Sequence, residues 1–225
     1  HRARGGGDER SFEAILNTRL FRPVSAVSFS NKITEDRAQR TDKLRGLNKR
    51  LLDNPRKDRR EGEEILPFTH GGQTYQLPVR FYVFSKRGEA GERRNFVAYD
   101  HAVIFTSNGQ VHYHWTPQKF KYKTRLSKLY DRIFVEVDTD DLPIELRTSL
   151  FTADRSELVR NDPAVELENA VAGFLDECDE LRQINSELIR EAIMSRSDSR
   201  RPDGDNSLGL LVGQKHFETV LCRYI

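Results

Sequence analysis

Residues 102–115, AVIFTSNGQVHYHW, contain the strongest local folding signal in the chain. Asn108-Gly109 lies between two runs that are rich in β-branched and aromatic residues. Both residues tolerate positive φ, which the tight turn of a two-residue β-hairpin requires. The sequence therefore predicts two antiparallel strands, one over Ala102–Phe105 and one over Val111–Trp115.

Similar patterns continue on both sides of this hairpin. Gly71-Gly72 separates Ile65–Thr69 from Thr74–Phe84, which predicts a second hairpin. Downstream, the patterns predict a helix from Thr116 to about Tyr130, a strand over Ile133–Val137 and a short helix from Pro143 to near Phe151. The order strand, strand, strand, strand, helix, strand, helix indicates an α+β fold. We expect a mixed, mainly antiparallel sheet with helices on one face, followed by a long C-terminal helix.

Helical patterns also flank the central region. Before it, a helix is predicted over residues 34–54, with Thr34 as its N-cap. After it, Asp162 as the cap and Pro163 in the first helical position begin a long helix. Its apolar residues recur at spacings of three and four: Leu167, Val171, Phe174, Cys178, Leu181, Ile184, Leu188 and Ala192. Such a stripe is typical either of a helix that binds a partner or a second copy, or of a helix that packs on its own domain.

These patterns divide the chain into four predicted segments. They are a basic, partly disordered segment with one helix at 1–63, an α+β domain at 64–160, a long amphipathic helix at 161–196, and a linker with a tail at 197–225. Because the sequence begins at His1 rather than methionine, we expect it to be a fragment of a longer protein.

The composition narrows the class of protein. Of the 225 residues, 36% are hydrophobic and 32% are charged, a low apolar share for a globular domain. Two cysteines cannot form a disulfide framework, so the sequence predicts a cytoplasmic protein. No apolar run reaches the roughly 18 residues of a membrane span, so no membrane partner is expected.

The formal net charge of +2 conceals two oppositely charged regions. Lys32–Arg60 holds eleven basic and five acidic residues, a local charge of +6. Asp138–Glu191 holds five basic and fifteen acidic residues, a local charge of −10. Such segregation indicates either an interaction surface or simply solvated helix faces.

Two basic groups are candidates for contact with nucleic acid. The first interleaves with the aromatic residues Phe120 and Tyr122, a pattern that suits phosphate contact combined with base stacking. Its members are Lys119, Lys121, Lys123, Arg125 and Lys128. The second consists of Lys43, Arg45, Lys49 and Arg50. The alternative is that both groups are ordinary solvated lysines and arginines.

One group of polar residues near the central hairpin could ligate a metal. Asp100, His101, His112 and His114 combine imidazoles with a carboxylate, the donors that zinc prefers. His112 and His114 are two apart on a predicted strand, so we expect them on one face. This pattern supports a metal-dependent hydrolase as one hypothesis. No His-Glu-x-x-His or Cys-x-x-Cys motif accompanies it, so our prediction is that no metal binds.

Two stretches resemble a known family. FTSNGQVH at 105–112 and RIFVEVDTDDLPIELRTSLFTADRSEL at 132–158 resemble the region downstream of the ATP-binding domain in bacterial MORC-like proteins, which are GHKL ATPases. The resemblance covers roughly residues 65–195. Many such bacterial proteins belong to restriction or phage-defence systems.

The resemblance implies that residues 64–160 form a transducer domain, similar to the second domain of ribosomal protein S5. In the family, a lysine of this domain reaches the γ-phosphate of ATP held by the preceding domain. By position, Gln118 and Lys119 match that phosphate-sensing element. Lys119 is alternatively one more surface lysine of the basic run.

The resemblance also implies partners and cofactors that lie outside this chain. ATP and Mg²⁺ belong to the preceding ATP-binding domain, whose Asp-x-Gly-x-Gly motif and magnesium-binding Asn helix do not occur in the sequence. We therefore expect no cofactor and no catalytic residue in this chain. The expected partners are that preceding domain, a second copy of the chain bound through the C-terminal helix, and nucleic acid.

Overall fold

The computed structural model describes the chain from Leu16 to Asp198 with gaps. The described residues are 16, 19–23, 27–31, 40–44, 46–52, 60–86, 88–89, 92–98, 100–152 and 158–198. The chain divides into two compact units at the boundary between Ser186 and Glu187. The first unit holds the sheet and most of the helices, and the described part of the second is helical.

Seven strands and five helices make up the described chain. In chain order they are β1 (Val27–Asn31), β2 (Arg40–Leu44), α1 (Gly46–Leu52), β3 (Arg60–His70), β4 (Gln73–Val83), β5 (Val103–Ser107), β6 (Gln110–Trp115), α2 (Pro117–Lys123), β7 (Ile133–Asp138), α3 (Ile144–Leu150), α4 (Asp162–Glu177) and α5 (Asp179–Asp198). From β3 to α3 the order is the predicted one, and the α+β class is confirmed.

A five-stranded sheet in the order β3-β4-β7-β5-β6 forms the centre of the first unit. All neighbours are antiparallel except β5 and β7, which are parallel. β5 lies between β6 and β7 in the sheet, so the chain crosses from β6 past β5 to reach β7, and α2 forms part of this connection. This connection places α2 directly after β6, where the predicted phosphate-sensing residues lie.

The predicted central hairpin is present. Asn108 and Gly109 have φ values of 50° and 70°, and they join β5 to β6 where Ser107 pairs with Gln110. A register shift follows, because Phe105 pairs with Tyr113 while Thr106 pairs with Val111. His112 is therefore the extra residue of a β-bulge.

One face of the sheet is covered by the N-terminal part of the chain. Leu47 and Leu51 of α1, together with Phe21, pack on Tyr82 and Phe134 in a single buried cluster. Burying an aromatic or leucine side chain of this size contributes about 1.5–3 kcal/mol. This packing holds α1 against the two central strands β4 and β7.

The opposite face is covered by α2 and α4. Strand register aligns Phe81, Val135, Val103 and Trp115 across four strands, and all four are buried. Trp115 of β6 also donates to Glu168 of α4, and His70 of β3 lies 2.7 Å from Glu166 of the same helix, so α4 contacts both edge strands.

The prediction of one helix over residues 34–54 is wrong in part. Arg40–Leu44 is a strand that pairs with Val27–Asn31, and the helix is confined to Gly46–Leu52. Gly46 has a φ of 73°, a conformation that glycine adopts without steric cost. The pairing of β2 with β1 outweighs the helical pattern. The predicted cap Thr34 lies outside the described residues.

The predicted long helix is interrupted. Cys178 has an extended backbone (ψ of 111°) and separates α4 from α5. The N-cap is Asn161, whose side chain accepts from the amide of Ala164, and not Asp162 as predicted. No proline or glycine lies at the break, where the buried Cys178 thiol donates to Glu64 of β3 at 3.3 Å.

The apolar stripe of these helices is buried within the chain as far as Ile184. Its buried members are Leu167, Val171, Cys178, Leu181 and Ile184. Up to that point the stripe packs on its own domain, which was one of the two alternatives.

We expect Gly109→Ala to destabilise the fold by about 3 kcal/mol. A Cβ there would lie 1.8 Å from the carbonyl oxygen of Arg22, in addition to the strain of the positive φ. Gly72→Ala is the matched control, since it has a φ of 79° but open space around it, and it should cost about 1 kcal/mol. Chemical denaturation would measure both. Equal losses in the two variants would show that the close approach to Arg22 is unimportant.

Candidate phosphate-contact site

Lys119 lies in the first turn of α2, immediately after β6. Thr116 caps this helix by accepting from the Lys119 amide at 3.1 Å, and Pro117 occupies the first turn. The cap fixes the direction in which α2 leaves the sheet. As a result, Lys119 extends over the aromatic residues at the end of β6, with 34% of its side chain exposed.

The Lys119 ammonium belongs to a group of five side chains that we call the Glu168 cluster: Tyr113, Trp115, Lys119, Lys123 and Glu168. The Lys119 Nζ lies 2.5 Å from Oε1 of Glu168 and also donates to the Tyr113 hydroxyl. The Tyr113 hydroxyl and the Trp115 indole donate to the same Oε1, at 2.8 and 3.1 Å. The Lys123 Nζ lies 3.2 Å from Oε2.

Aromatic rings further restrain the lysine of this cluster. The Lys119 Nζ lies 5.1 Å from the ring centroid of Tyr113 and 5.9 Å from that of Trp115. Both distances are within the range of cation–π attraction. The ammonium is thus held in one place by a carboxylate, a hydroxyl and two ring faces.

The electrostatics of the cluster favour an ionised carboxylate. Burial raises the pKa of Glu168, but hydrogen bonds from Lys119 and Tyr113 outweigh it, and the net pKa lies below the ordinary value. Two ammonium groups face this single carboxylate, so the cluster carries a net charge of +1. Such an arrangement can hold an anion.

The other residues of the first basic group, Lys121, Arg125 and Lys128, are exposed, and the Lys121 Nζ lies 5.1 Å from the ring centroid of Tyr130. Gln118, the second predicted phosphate-sensing residue, is exposed as well. Of the group, the Glu168 cluster includes only Lys119 and Lys123. The structure therefore divides the group into two lysines that contact Glu168 and three residues that are exposed to solvent.

Two residues of the second basic group, Lys49 and Arg50, lie on the other side of the sheet. Lys49 and Arg50 belong to α1, which packs on the face opposite the Glu168 cluster. Lys43 lies in β2, where only the backbone is described, and Arg45 lies outside the described residues. The described residues do not join the two groups into one basic surface.

The structure brings together three of the four metal candidates. The Nδ1 of His101 and the Nε2 of His114 lie 3.0 and 3.6 Å from the carboxylate of Asp100. The bulge turns His112 away, and its ring packs on Phe151 with centroids 5.2 Å apart. Among the described residues no group of three His, Cys, Asp or Glu side chains could hold a metal ion.

The neighbouring imidazoles of His101 and His114 make stability depend on pH. Burial, and secondly the His101 ring with its centroid 4.2 Å away, lower the pKa of His114 from 6.5 to about 4. Between these values the unfolded chain binds a proton that the folded chain does not. The free energy of unfolding is therefore fully retained above about pH 6.5 and falls as the pH decreases towards 4.

We expect this loss to be about 1–2 kcal/mol, allowing for the partial exposure of His114. Urea denaturation at pH values between 7 and 4.5 would measure it, and His114→Gln should remove most of the slope. An unchanged slope in the variant would assign the dependence to other groups. Asp100 does not contribute in this window, because its pKa is lowered by His101 to below the ordinary 3.8.

Sequence analysis missed a buried ion-pair network on the other face. Glu136 is completely buried in the central strand β7. It accepts from Arg80 at 2.8 Å, from Arg22 at 3.1 Å and from the Thr106 hydroxyl at 2.9 Å. Burial raises the pKa of Glu136 despite these partners. A carboxylate within the apolar strand IFVEVD, residues 133–138, was the signal in the sequence.

Arg22 links this network to the central hairpin. Its guanidinium also lies 2.9 Å from Asp138, and its amide donates to the Gly109 carbonyl at 2.9 Å. Neighbouring Leu20 accepts from the amide of Leu47 in α1. The N-terminal segment is thus tied to the hairpin tip, to β7 and to α1.

Comparison with known proteins does not identify the chain. Neither a protein-family model nor a curated protein matches it. None of the described helices combines the length and apolar character needed to cross a bilayer.

Proposed function

We propose that this chain is the non-catalytic transducer domain of a GHKL, MORC-like ATPase. In this proposal it relays the nucleotide state of a preceding ATP-binding domain, which holds ATP and Mg²⁺, to dimerisation or DNA binding in phage defence. The observation that carries the proposal is the position of Lys119 at the junction of β6 and α2, with its ammonium held over Tyr113 and Trp115.

The fold of the central region supports this proposal. The mixed sheet and the order of elements from β3 to α3 agree with what the resemblance implies for a transducer domain. The two stretches that carry the resemblance form the central hairpin, and β7 with α3. They lie next to each other in the sheet, because β5 pairs with β7.

Lys119 has the chemistry required of a phosphate sensor. A positioned ammonium neutralises charge on a terminal phosphate without needing to gain or lose a proton. Gln118 beside it is exposed and can donate its amide to the same group. The chain supplies a contact to nucleotide in this role, and the preceding domain supplies the catalytic residues.

A homodimer formed through the C-terminal helix is part of the proposal. Beyond Ser186 the described helix carries Ile189 and Ile193, which are one turn apart and exposed. Apolar residues at this spacing suit a helix–helix contact. The cytoplasmic location that the two cysteines indicate also belongs to the proposal.

The sequence that precedes this chain in the full protein tests the proposal. We expect an Asp-x-Gly-x-Gly motif there, and ATP binding by the combined protein that this chain alone does not show. A preceding region without that motif, or a full-length protein that does not bind ATP, would end the proposal.

A stand-alone nucleic-acid-binding module is the second candidate, favoured by one observation. The ring of Tyr122 is 88% exposed on α2, and Lys121, Arg125 and Lys128 are exposed near it in sequence. An exposed ring beside cations suits base stacking and phosphate contact. Single-stranded DNA should then bind with an affinity that falls steeply with salt and on Tyr122→Ala. Salt-independent binding would count against this candidate.

A further inference from the structure

The hydrogen-bond donors around Glu168 have the form of an anion site. Two ammonium groups, a phenol hydroxyl and an indole N–H converge on one carboxylate from β6 and α2. A carboxylate has two oxygens, and three of these four donors share Oε1. A terminal phosphate has three free oxygens and a higher charge, so it could satisfy the same donors with less sharing.

We propose that these donors form a binding site for a terminal phosphate group, which the carboxylate of Glu168 occupies when no phosphate is present. This inference rests on the proposed function, which brings the phosphate of ATP to Lys119. It goes further by assigning Lys123, Tyr113 and Trp115 to the site and by making Glu168 an internal competitor.

The charge balance supports an exchange of ligands. When the Glu168 carboxylate occupies the site, the site has a net charge of +1. Both lysines attract an incoming phosphate dianion, and the carboxylate repels it. Because the Glu168 side chain is still 13% exposed, it has a route to solvent when displaced. The donors themselves remain in place, since they lie on β6 and on α2, whose first turn is capped by Thr116.

Displacement of Glu168 by phosphate would also change how α4 is held against the sheet. Glu168 lies on α4, and its neighbour Leu167 is buried in the core. Glu168 is the side chain through which α4 hydrogen-bonds Tyr113 and Trp115 of β6. Displacing Glu168 breaks these hydrogen bonds but leaves the apolar packing of α4 intact. Phosphate binding would therefore weaken the attachment of α4 to β6 without unfolding the helix.

Titration of the 225-residue chain with inorganic phosphate and pyrophosphate, followed by calorimetry, tests this inference. Glu168→Gln keeps the shape and removes the competing charge, so we expect it to bind both about tenfold more tightly than the unmodified chain. Lys123→Ala should weaken binding about tenfold. Glu177→Gln on the same helix and Lys121→Ala on α2 are matched controls and should leave binding unchanged.

Several results would overturn the inference. One is an affinity for phosphate in Glu168→Gln that does not exceed that of the unmodified chain, with circular dichroism showing that both are folded. Another is binding of a single-stranded oligonucleotide, but not phosphate, at the same residues. Neither result would contradict the proposed function, which is tested separately by ATP binding to the full-length protein.

Discussion

Replacing Glu136 by alanine should lower the free energy of unfolding by about 3–5 kcal/mol. The side chain is fully buried, and it neutralises Arg80 and Arg22 on the sheet face that α1 covers. Alanine would leave both guanidinium groups without this partner, and the Thr106 hydroxyl without its acceptor. The loss is large because three hydrogen bonds are removed, and each guanidinium keeps only one carboxylate, Asp138 for Arg22 and Glu63 for Arg80.

Two matched variants separate these contributions. Glu136→Gln preserves the shape and one acceptor, so it should cost about half as much. Glu63→Ala removes the other carboxylate that pairs with Arg80, 2.5 Å away, but that side chain is 55% exposed, and the cost should stay below about 1 kcal/mol. Chemical denaturation followed by circular dichroism measures all three. A loss for Glu136→Ala no greater than that for Glu63→Ala would contradict the role of the buried network.

The features that could be predicted from the sequence are those that local chemistry decides. Asn108-Gly109 specifies a tight turn by its own backbone preferences, and the flanking runs fit paired strands. The existence and order of the strands and helices from β3 to α3 follow from similar short-range signals, although α2 ends at Lys123 and not near Tyr130 as predicted. The α+β class then follows from their order.

The features that could not be predicted depend on residues far apart in the chain. The strand at Arg40–Leu44 exists because it pairs with β1, although its own pattern looks helical. The break between α4 and α5 falls at Cys178, which is buried and contacts Glu64 of β3, and no proline or glycine marks it in the sequence. Tertiary contacts of this kind override local propensity.

In the candidate site, too, some features could be predicted from local sequence, and others depend on residues far apart in the chain. Lys119 could be selected by its position in the sequence, but its partner Glu168 lies 49 residues away on another helix. The separation of His112 from His114 depends on a single-residue bulge, which alternation along a strand does not predict. Arg22 and Glu136 are 114 residues apart.

Replacing Lys119 by alanine should reduce the rate at which the full-length protein hydrolyses ATP about 100-fold. The reason is that one positioned cation is removed from the terminal phosphate, where charge changes during hydrolysis. The chain itself should stay folded, because Lys123 still pairs with Glu168, and Tyr113 and Trp115 still donate to it. Lys121→Ala is the matched control on the same helix, since Lys121 is exposed and lies against Tyr130.

The most direct test of the transducer role is the dimerisation of the full-length protein, measured by analytical ultracentrifugation with ATP or ADP. We predict that ATP, but not ADP, drives dimerisation in the unmodified protein and in Lys121→Ala, and that Lys119→Ala remains monomeric at the same ATP concentration. Dimerisation of Lys119→Ala with ATP to the same extent as the unmodified protein would contradict the account.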